Sequence, residues 1–331
     1  MTVANRQPAT LDDIRGPVTA ELKEFDRFFK EAMRSKVGLI DLIARYIIRQ
    51  KGKRVRPILV LLSAKVCGAI NESTYRGATL VEILHTATLI HDDVVDDADT
   101  RRGLASINAV WKNKIAVLMG DYLLARGLLL SLERNDYAFL RSTSTAVKRM
   151  SEGELLQIQK SRRLDIDEET YLKIIGDKTA SLFSTCTEIG STSATDDAEK
   201  RIQLRSFGEN VGMAFQIRDD LLDYLGRKSI IGKPIGTDMK EKKLTLPFIH
   251  ALTAAPRNDA RQALKVIKKG AKSKDVQWVV DFVEANGGIE YALSKAQEYA
   301  ALARQNLSIL PNSDAKEALM QFVDFVTERQ S

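Results

Sequence analysis

Two acidic motifs of identical spacing constrain the fold of this chain more than any other feature. They read Asp92-Asp93-Val94-Val95-Asp96 and Asp219-Asp220-Leu221-Leu222-Asp223. Each follows a largely apolar stretch that is typical of a buried helix, residues 78–90 before the first motif and 211–217 before the second. Because positions i and i+4 of a helix share a face, the first and last aspartates of each motif are predicted to project together.

Carboxylates gathered at a helix C-terminus repel one another and oppose the helix dipole, so a positive group must offset that cost. A few oxygen ligands per motif suit Mg²⁺, which keeps several waters and completes its shell with substrate phosphates. A solvated helix end would explain one such motif equally well, but two copies favour a metal site. The candidate ligands are Asp92, Asp93, Asp96, Asp219, Asp220 and Asp223.

Composition excludes several classes of protein. The 331 residues are 44% hydrophobic, which is ample for a large core. A net charge of +6 is too small an excess to indicate nucleic-acid binding. Residues 1–16 lack the apolar core of a signal peptide, and no stretch approaches the roughly 18 uncharged residues of a membrane span. The two cysteines, Cys67 and Cys186, indicate neither a disulfide framework nor a zinc site, so we expect a cytoplasmic protein.

Helical periodicity dominates the chain, and long alternating strand patterns are absent. We predict two helices within residues 22–49, a helix from Pro57 to about Cys67, and an N-cap for the next helix at residues 71–74. Further helices are predicted at 108–132, 137–159, 168–190 and 196–226. Residues 226–247 are irregular and rich in lysine, and they form a candidate lid. No linker composition interrupts the chain, so we predict one all-α domain over residues 1–331.

Basic residues accompany the acidic motifs at several separate places. Three of them lie in residues 52–57, at a predicted helix N-terminus that is itself an anion site. The others are Arg101 and Arg102 after the first motif, Lys178 in mid-chain, and Lys233 and Lys243 in the candidate lid. Together they favour a substrate with a diphosphate, or two such substrates, held by metal ions and by direct ion pairs.

The order of these motifs resembles that of the trans-isoprenyl diphosphate synthases, in particular the long-chain octaprenyl and decaprenyl type. The resemblance covers residues 52–247 and rests on GKRVRP (52–57), EILHTATLIHDDVVD (82–96), RRG (101–103), GDY (120–122), GE (153–154), KT (178–179), FQ (215–216), the second acidic motif, GK (232–233) and KLTLP (243–247). It implies an all-α fold, a single large helical bundle of the isoprenoid synthase type around a central active-site cavity.

The resemblance also implies a role for each candidate residue. Asp92 and Asp96 would bind Mg²⁺ on one side of an allylic diphosphate, and Asp219 would bind a third ion opposite. The same diphosphate would be held by Arg101, Lys178 and Lys243, with Lys233 nearby. Isopentenyl diphosphate would be held by Lys53, Arg56, His85 and Arg102. Thr179 and Gln216 would line the region of the carbocation.

The implied reaction is the Mg²⁺-dependent, sequential condensation of isopentenyl diphosphate onto farnesyl or geranylgeranyl diphosphate. Ala87 and Thr88 are small and lie five and four positions before Asp92, so we predict a tunnel that passes them and Leu84. Its floor is predicted at Leu128, Leu129 or Leu132, which gives a product of about octaprenyl length for a quinone side chain. We also expect a homodimer, transient contact with a membrane surface at product release, and no nucleic-acid partner.

Several alternatives remain open at this point. A synthase with a shorter, geranylgeranyl-type product and a non-catalytic subunit of a heteromeric synthase share the fold, although such subunits typically lose one acidic motif. An HD-type phosphohydrolase would need several metal-binding histidines, and the chain has only His85, His91 and His250. A terpene cyclase would need neither the isopentenyl site nor a second intact motif. The basic cluster at residues 160–163 departs from related chains, and we interpret it as a solvated loop.

Overall fold

The computed structural model describes residues 9–50, 52–225, 239, 241–270 and 273–328, and most of this length is helical. The helices are α1 (Leu11–Arg15), α2 (Thr19–Ala32), α3 (Gly38–Arg49), α4 (Val55–Cys67), α5 (Glu72–Val95), α6 (Ile107–Leu132), α7 (Tyr137–Arg163), α8 (Glu168–Ile175), α9 (Ser181–Ala194), α10 (Ala198–Leu222), α11 (Leu246–Ala254), α12 (Arg257–Lys268), α13 (Ser273–Ala285), α14 (Gly288–Asn306) and α15 (Asp314–Glu328). A 3₁₀ turn (Gly16–Val18) precedes α2, and a π-helix (Gly176–Ala180) joins α8 to α9. A two-stranded ribbon, β1 (Thr100–Arg101) and β2 (Leu104–Ala105), lies between α5 and α6. The all-α prediction is confirmed.

Local sequence signals fix several helix starts. At α5 the Asn71 side chain accepts a hydrogen bond from the Thr74 N–H, and the Thr74 hydroxyl accepts one from the Asn71 N–H, each at 3.2 Å. This capping box satisfies donors that the first turn of a helix leaves without partners. The predicted cap at residues 71–74 is therefore confirmed, as is the position of Pro57 in the first turn of α4.

One expectation about helix extent is incomplete and another is wrong. The helix predicted over residues 168–190 is present, but a π-helical turn widens it at Gly176–Ala180, and the sequence carries no periodicity signal for that turn. The basic cluster at residues 160–163 is not a loop, because α7 continues to Arg163 and ends at Leu164 in the left-handed conformation. Basic side chains in the last turn of a helix interact favourably with its dipole, which explains the extension.

Among the residues that the structure describes, the core consists of two apolar clusters that share α10. Leu204, Phe207 and Val211 belong to the first cluster, which is centred on α4, α5 and α9. Ile217 and Leu221, farther along α10, belong to the second, which is built around α11 to α14. Helix α10 thus runs from the first cluster into the second and ends there with the second acidic motif, whereas one domain over residues 1–331 stays a prediction.

Helix α6 is long and apolar enough to cross a membrane by length and composition, although only a third of its apolar window is buried. A core helix meets the same criteria, and Met119, Leu123 and Gly127 of α6 are buried in the bundle. On another face Leu129 and Leu132 are exposed. The prediction that these two leucines close a tunnel is therefore wrong for a single chain, because an exposed side chain cannot be an interior floor. Leu128 is half-buried and remains a candidate.

Candidate active site

Both acidic motifs lie at helix C-termini, as predicted. Helix α5 ends at Val95 with Asp96 as its C-cap residue, and α10 ends at Leu222 with Asp223 as its C-cap residue. The last turn of each helix therefore presents carboxylates beside backbone carbonyls that have no partner within the helix. Negative charge accumulates at both ends, so each is a place where a cation would be stabilised.

Asp92 and Asp96 have the properties of an exposed cation site. Both side chains are exposed, and neither forms an ion pair or side-chain hydrogen bond within the described residues. Desolvation raises the pKa of Asp92 to about 6, and the negative charges of Glu154 and Asp96 add to that effect. Lys178 and Arg101 act in the opposite direction but do not outweigh it. A divalent cation stabilises the ionised form of Asp92, and Asp96 lies one turn away on the same helix face, so the pair fits Mg²⁺.

The middle aspartates of the motifs are engaged by protein groups. Asp93 is buried, and it accepts a hydrogen bond from Arg101 Nε at 2.8 Å. Asp220 is buried, and it accepts hydrogen bonds from the Tyr171 hydroxyl at 2.7 Å and from Gln216 Nε2 at 2.8 Å. Neighbouring residues on a helix are rotated by about 100°, so the middle aspartates point away from the face that bears the first and last aspartates of each motif. These contacts favour a positioning role for Asp93 and Asp220, and their assignment as metal ligands stays a prediction.

The β1–β2 ribbon places Arg101 and Arg102. Its two turn residues, Arg102 and Gly103, have φ angles of 52° and 77°, as a type I′ hairpin requires. The turn brings Arg101 back toward α5, where it forms an ion pair with Asp93. Arg102 donates a hydrogen bond from Nη1 to the Gln50 carbonyl at 3.3 Å. The guanidinium of Arg102 lies where a Cβ on Gly52 would project, so a larger residue at position 52 would displace this side chain. The sequence had indicated the basic pair but not the ribbon.

Arg56 and His85 form a second basic site at the N-terminus of α4. The Arg56 guanidinium lies 5.8 Å from the centroid of the Phe183 ring, and its Nε is buried with no acceptor among the described residues. Desolvation lowers the pKa of His85 well below its usual range, and the charges of Arg56, Arg102 and Arg101 add to that effect. His85 is therefore neutral among arginines. A buried donor without a partner, beside a helix N-terminus, is suited to an anion.

Of the four residues predicted to share the isopentenyl site, the structure brings together Arg56, His85 and Arg102. Lys53 is exposed in the segment that precedes α4. Sequence reasoning missed Arg54, which has a left-handed φ of 55° and donates to the buried Glu82 at 2.8 Å. An acid inside the apolar run of α5 was the available signal, since a buried carboxylate requires a partner.

The π-helix separates the two halves of the site. Lys178 Nζ donates to Gln157 Oε1 at 2.5 Å and forms an ion pair with Glu154 on α7, beside Asp92. The next residue, Thr179, donates to Gln216 Oε1 on α10 at 2.8 Å. Consecutive residues thus reach toward different acidic motifs. π-helical turns are frequent at functional sites because they redirect side chains in this way.

Arg149 of α7 anchors the π-helix. Its Nε donates to Asp177 Oδ1 at 2.7 Å, and its Nη2 donates to Glu209 Oε1 at 2.6 Å and to the Gly176 carbonyl at 3.2 Å. Lys173 Nζ donates to the second oxygen of Asp177 at 2.8 Å. Asp177 directly precedes Lys178, so this network sets the position from which Lys178 extends.

Asp177→Asn is expected to lower the free energy of unfolding by about 2 kcal/mol near neutral pH, because it removes the acceptor of two charged donors. Desolvation opposes ionisation of Asp177, but the hydrogen bonds from Lys173 and Arg149 hold its pKa below the usual 3.8. The folded pKa is thus depressed, so the stabilisation is present above about pH 4 and is lost as the pH falls through the folded pKa. Thermal unfolding between pH 3 and 7 should show the Tm difference from the wild type narrowing at acid pH. The exposed Asp259→Asn serves as the control, and an equal, pH-independent loss in both variants would contradict the network.

A cavity of about 590 Å³ opens beside the first acidic motif. It is lined by Val95, Asp96, Glu154, Gln157, Ile158, Ser161, Arg162, Glu241, Lys242 and Lys243. Lys243 Nζ lies 2.7 Å from Glu241 Oε2. Lys233 and most of the candidate lid fall outside the described residues. Within those residues no three His, Cys, Asp or Glu side chains could hold one ion together, so an ion at Asp92 and Asp96 must take further ligands from water or substrate.

The residues predicted to control product length lie on α5 below Asp92. Ala87 and Leu84 are buried, with exposures of 2% and 1%. Thr88 is half-buried, lies one turn below Asp92, and donates from its hydroxyl to the His85 carbonyl at 2.9 Å. The small side chains therefore line the first turns beneath the acidic motif, and the tunnel itself stays a prediction.

Comparison with known proteins identifies relatives over nearly the whole chain. The polyprenyl synthetase family model matches residues 37–283. An all-trans-nonaprenyl-diphosphate synthase (geranyl-diphosphate specific) from Rhodobacter capsulatus is 38% identical, with 96% of this chain and 97% of the relative covered. The octaprenyl diphosphate synthase of Escherichia coli is 35% identical, with 90% and 93% covered. A polyprenyl synthase from Caulobacter crescentus, solved with calcium and isoprenyl diphosphate, superposes with a TM-score of 0.90 at 34% identity, with 98% and 100% covered.

Proposed function

Since this chain belongs to the polyprenyl synthetase family and is a prenyltransferase, we propose that it condenses isopentenyl diphosphate repeatedly onto an allylic diphosphate to make a long all-trans-polyprenyl diphosphate. The observation that carries the proposal is the placement of Lys178 and Thr179 between the two acidic motifs. One residue faces the charges of a leaving group, and the other faces the place where a carbocation would form. Prenyl transfer in this family requires both a stabilised leaving group and a stabilised carbocation.

The allylic diphosphate lies at Asp92 and Asp96 in this proposal. Asp92 and Asp96 would hold two Mg²⁺ ions, and Asp219 would hold a third from the opposite side. The chemistry that Mg²⁺ supplies when bound is neutralisation of diphosphate charge, which favours ionisation of the allylic carbon–oxygen bond. Lys178 exchanges its contacts with Glu154 and Gln157 for phosphate oxygens, and Arg101 and Lys243 bind the same group.

Isopentenyl diphosphate binds at the N-terminus of α4. Arg56 supplies the buried Nε that has no acceptor among the described residues, and Arg102 supplies a second guanidinium. Neutral His85 donates a hydrogen bond from its ring to the same diphosphate, and Lys53 binds from the exposed side. Charged donors with planar, bidentate geometry are well suited to phosphate oxygens.

The chain transfer needs no protein nucleophile. After ionisation, the Thr179 hydroxyl and the Gln216 amide oxygen present dipoles to the allylic cation, because their mutual hydrogen bond at 2.8 Å fixes both oxygens. The isopentenyl double bond attacks the cation, and the released diphosphate accepts the proton that is then lost. Water must be kept from the cation, because it would quench the cation before the isopentenyl group attacks.

The structure gives little support to the alternative functions. An HD-type phosphohydrolase would need its histidines together, whereas His91 lies 3.4 Å from Asp121 on α6 and His250 stacks on Tyr291 at 4.0 Å. Both acidic motifs cap intact helices, which speaks against a non-catalytic subunit. A synthase with a geranylgeranyl-type product remains the second candidate. It would use the same diphosphate sites and would differ only in product length, on which Ala87 and Thr88 are expected to act.

We also propose a homodimer in the cytoplasm whose product is released at a membrane surface. The support for the dimer is an exposed apolar stripe on α6, formed by Val117, Leu118, Leu129 and Leu132. Apolar patches of this kind commonly mark protein interfaces. A primer of farnesyl or geranylgeranyl diphosphate fits the same scheme. Incubation with either primer, isopentenyl diphosphate and Mg²⁺, followed by measurement of product length, tests the function directly.

Two diphosphate sites should be separable by mutation. Arg56→Ala is expected to raise the KM for isopentenyl diphosphate by about 10–100-fold, because a charged hydrogen bond contributes about 1.5–3 kcal/mol. Lys178→Ala should instead lower kcat and weaken the binding of the allylic substrate, since Lys178 acts on the leaving group. Initial rates with each substrate varied in turn distinguish the two effects. Identical changes for both substrates in both variants would contradict two sites.

A further inference from the structure

One basic cluster has no part in the mechanism so far, namely Lys160, Arg162 and Arg163 in the last turn of α7. Its members differ in their surroundings. Lys160 Nζ lies 3.6 Å from Asp165 Oδ1 and donates to the Asp165 carbonyl, just beyond the helix end. Arg163 is exposed and does not line the cavity beside Asp96, whereas Arg162 does. Only one of the three cations therefore reaches the active site.

The helical register explains this division. Glu154, Gln157, Ile158 and Ser161 line the same cavity, so they define the face of α7 that is turned toward the first acidic motif. At about 100° per residue, Arg162 lies about 80° around the helix from Glu154, and Arg163 lies about 180° away. Arg162 is also about 12 Å farther along the axis than Glu154, at about 1.5 Å per residue, which places it toward one end of the cavity.

The charges around the cavity leave Arg162 uncompensated. Glu154 is paired with Lys178, and Glu241 is paired with Lys243. Within the described residues neither Arg162 nor Asp96 forms an ion pair. An unpaired guanidinium thus shares a cavity with a carboxylate that is assigned to bind the Mg²⁺ ions that hold the diphosphate. Arginine binds phosphate oxygens in a bidentate manner and does not deprotonate, so it suits a diphosphate better than a lysine would.

We propose that Arg162 is a further diphosphate-binding residue, which holds the outer oxygens of the allylic diphosphate, and later of the released diphosphate, beside Asp96. This rests on the proposed function, because it uses the same cavity. The released diphosphate and the next allylic diphosphate carry the same group, so one contact serves both entry and departure. A residue that holds the product also slows its release, so Arg162 influences inhibition by pyrophosphate as well as substrate binding.

A purely structural role is the competing explanation. Arg162 and Arg163 both lie in the last turn of α7 and both complement its dipole. Arg163→Ala is therefore a matched control, since it removes the same charge from the same turn but not from the cavity. Arg162→Lys keeps the charge and loses the bidentate geometry. If the role is structural, the two alanine variants should behave alike in every measurement.

The test uses the full-length protein at saturating Mg²⁺ and measures initial rates with farnesyl diphosphate and isopentenyl diphosphate varied in turn, each with the other substrate saturating. The series in farnesyl diphosphate is repeated with added pyrophosphate. Arg162→Ala is expected to raise the KM for the allylic substrate and the inhibition constant for inorganic pyrophosphate by about tenfold each, which corresponds to about 1.4 kcal/mol. Arg162→Lys should fall between wild type and Ala. Arg163→Ala should match the wild type, and the KM for isopentenyl diphosphate should stay within about twofold in all variants.

Calorimetric titration with Mg²⁺ and pyrophosphate, without turnover, separates this proposal from the wider function. Weaker binding to Arg162→Ala than to Arg163→Ala supports it, even if the wild type transfers no prenyl group and the proposed function fails. Equal affinities in the two variants, or no binding of pyrophosphate by the wild type, would overturn it. Thermal unfolding of each variant shows whether the helix end itself has changed.

Discussion

Asp92→Asn and Asp219→Ala are each expected to reduce turnover by about 10³-fold or more while the fold is retained. Asp92 shares an exposed helix face with Asp96, and it lies near Glu154 and Lys178. Loss of one carboxylate weakens the binding of the Mg²⁺ ions that neutralise the leaving diphosphate. Several kcal/mol of transition-state stabilisation depend on those ions, and each 1.36 kcal/mol, roughly, corresponds to a tenfold change in rate. Incorporation of labelled isopentenyl diphosphate measures the rate. Raising the Mg²⁺ concentration should restore part of it, which loss of a merely structural group would not allow.

Asp97→Asn is the matched control for Asp92→Asn. Asp97 belongs to the same exposed acidic cluster, and its left-handed φ of 50° is one that asparagine accepts readily. Both changes remove one negative charge, but only Asp92 stands four residues before Asp96 on the helix. Activity in the control should stay near that of the wild type. Near-normal activity in both Asp92→Asn and Asp219→Ala would refute the metal assignment.

Ala87→Phe is expected to shorten the product from about octaprenyl to about farnesyl or geranylgeranyl length while condensation continues. Ala87 lies about 7.5 Å along α5 from Asp92, at about 1.5 Å per residue, and it is buried. A phenyl ring at this level would block an extended chain after a few additions, whereas the diphosphate sites above it are unchanged. Chromatography of the dephosphorylated products gives the length distribution directly.

Inserting a large ring at a buried alanine carries a risk of overpacking, which typically costs about 1–3 kcal/mol. Thr88→Phe provides a second test, because Thr88 is half-buried one turn below Asp92. Thr86→Phe is the control at nearly the same level, about 200° around the helix from Thr88. If all three variants stay folded and make the wild-type product, the chain does not pass along this face of α5.

Much of the helical scaffold could be predicted because its signals are local. The Asn71 cap, Pro57 in the first turn of α4, and the helix-terminal acids all follow from one or two residues and a period. The separation of Asp92 from Asp93 is also a matter of helical period. Neighbours on a helix are rotated by about 100°, so Asp93 faces Arg101 whereas Asp92 is exposed, and metal binding by Asp93 stays a prediction.

Other features depend on contacts that join distant segments. The ion pair between Arg101 and Asp93 forms only because a hairpin turns the chain back, and the role of Arg54 depends on Glu82, twenty-eight positions away. The π-helix leaves no trace in hydrophobic periodicity, since it amounts to one widened turn. The exposure of Leu129 and Leu132 was missed for a similar reason, because an apolar helix does not reveal which of its faces is covered.

The widened turn at Gly176–Ala180 has a consequence for how this protein can move. Lys178 and Thr179 are joined by a single peptide bond, so their Cα atoms stay about 3.8 Å apart in every conformation. Lys178, which would bind the leaving diphosphate, and Thr179, which would face the carbocation, therefore extend from the same short stretch of main chain. The side chains themselves can rotate, but any shift of this stretch of main chain displaces Lys178 and Thr179 at once, so their contacts with the two acidic motifs change together.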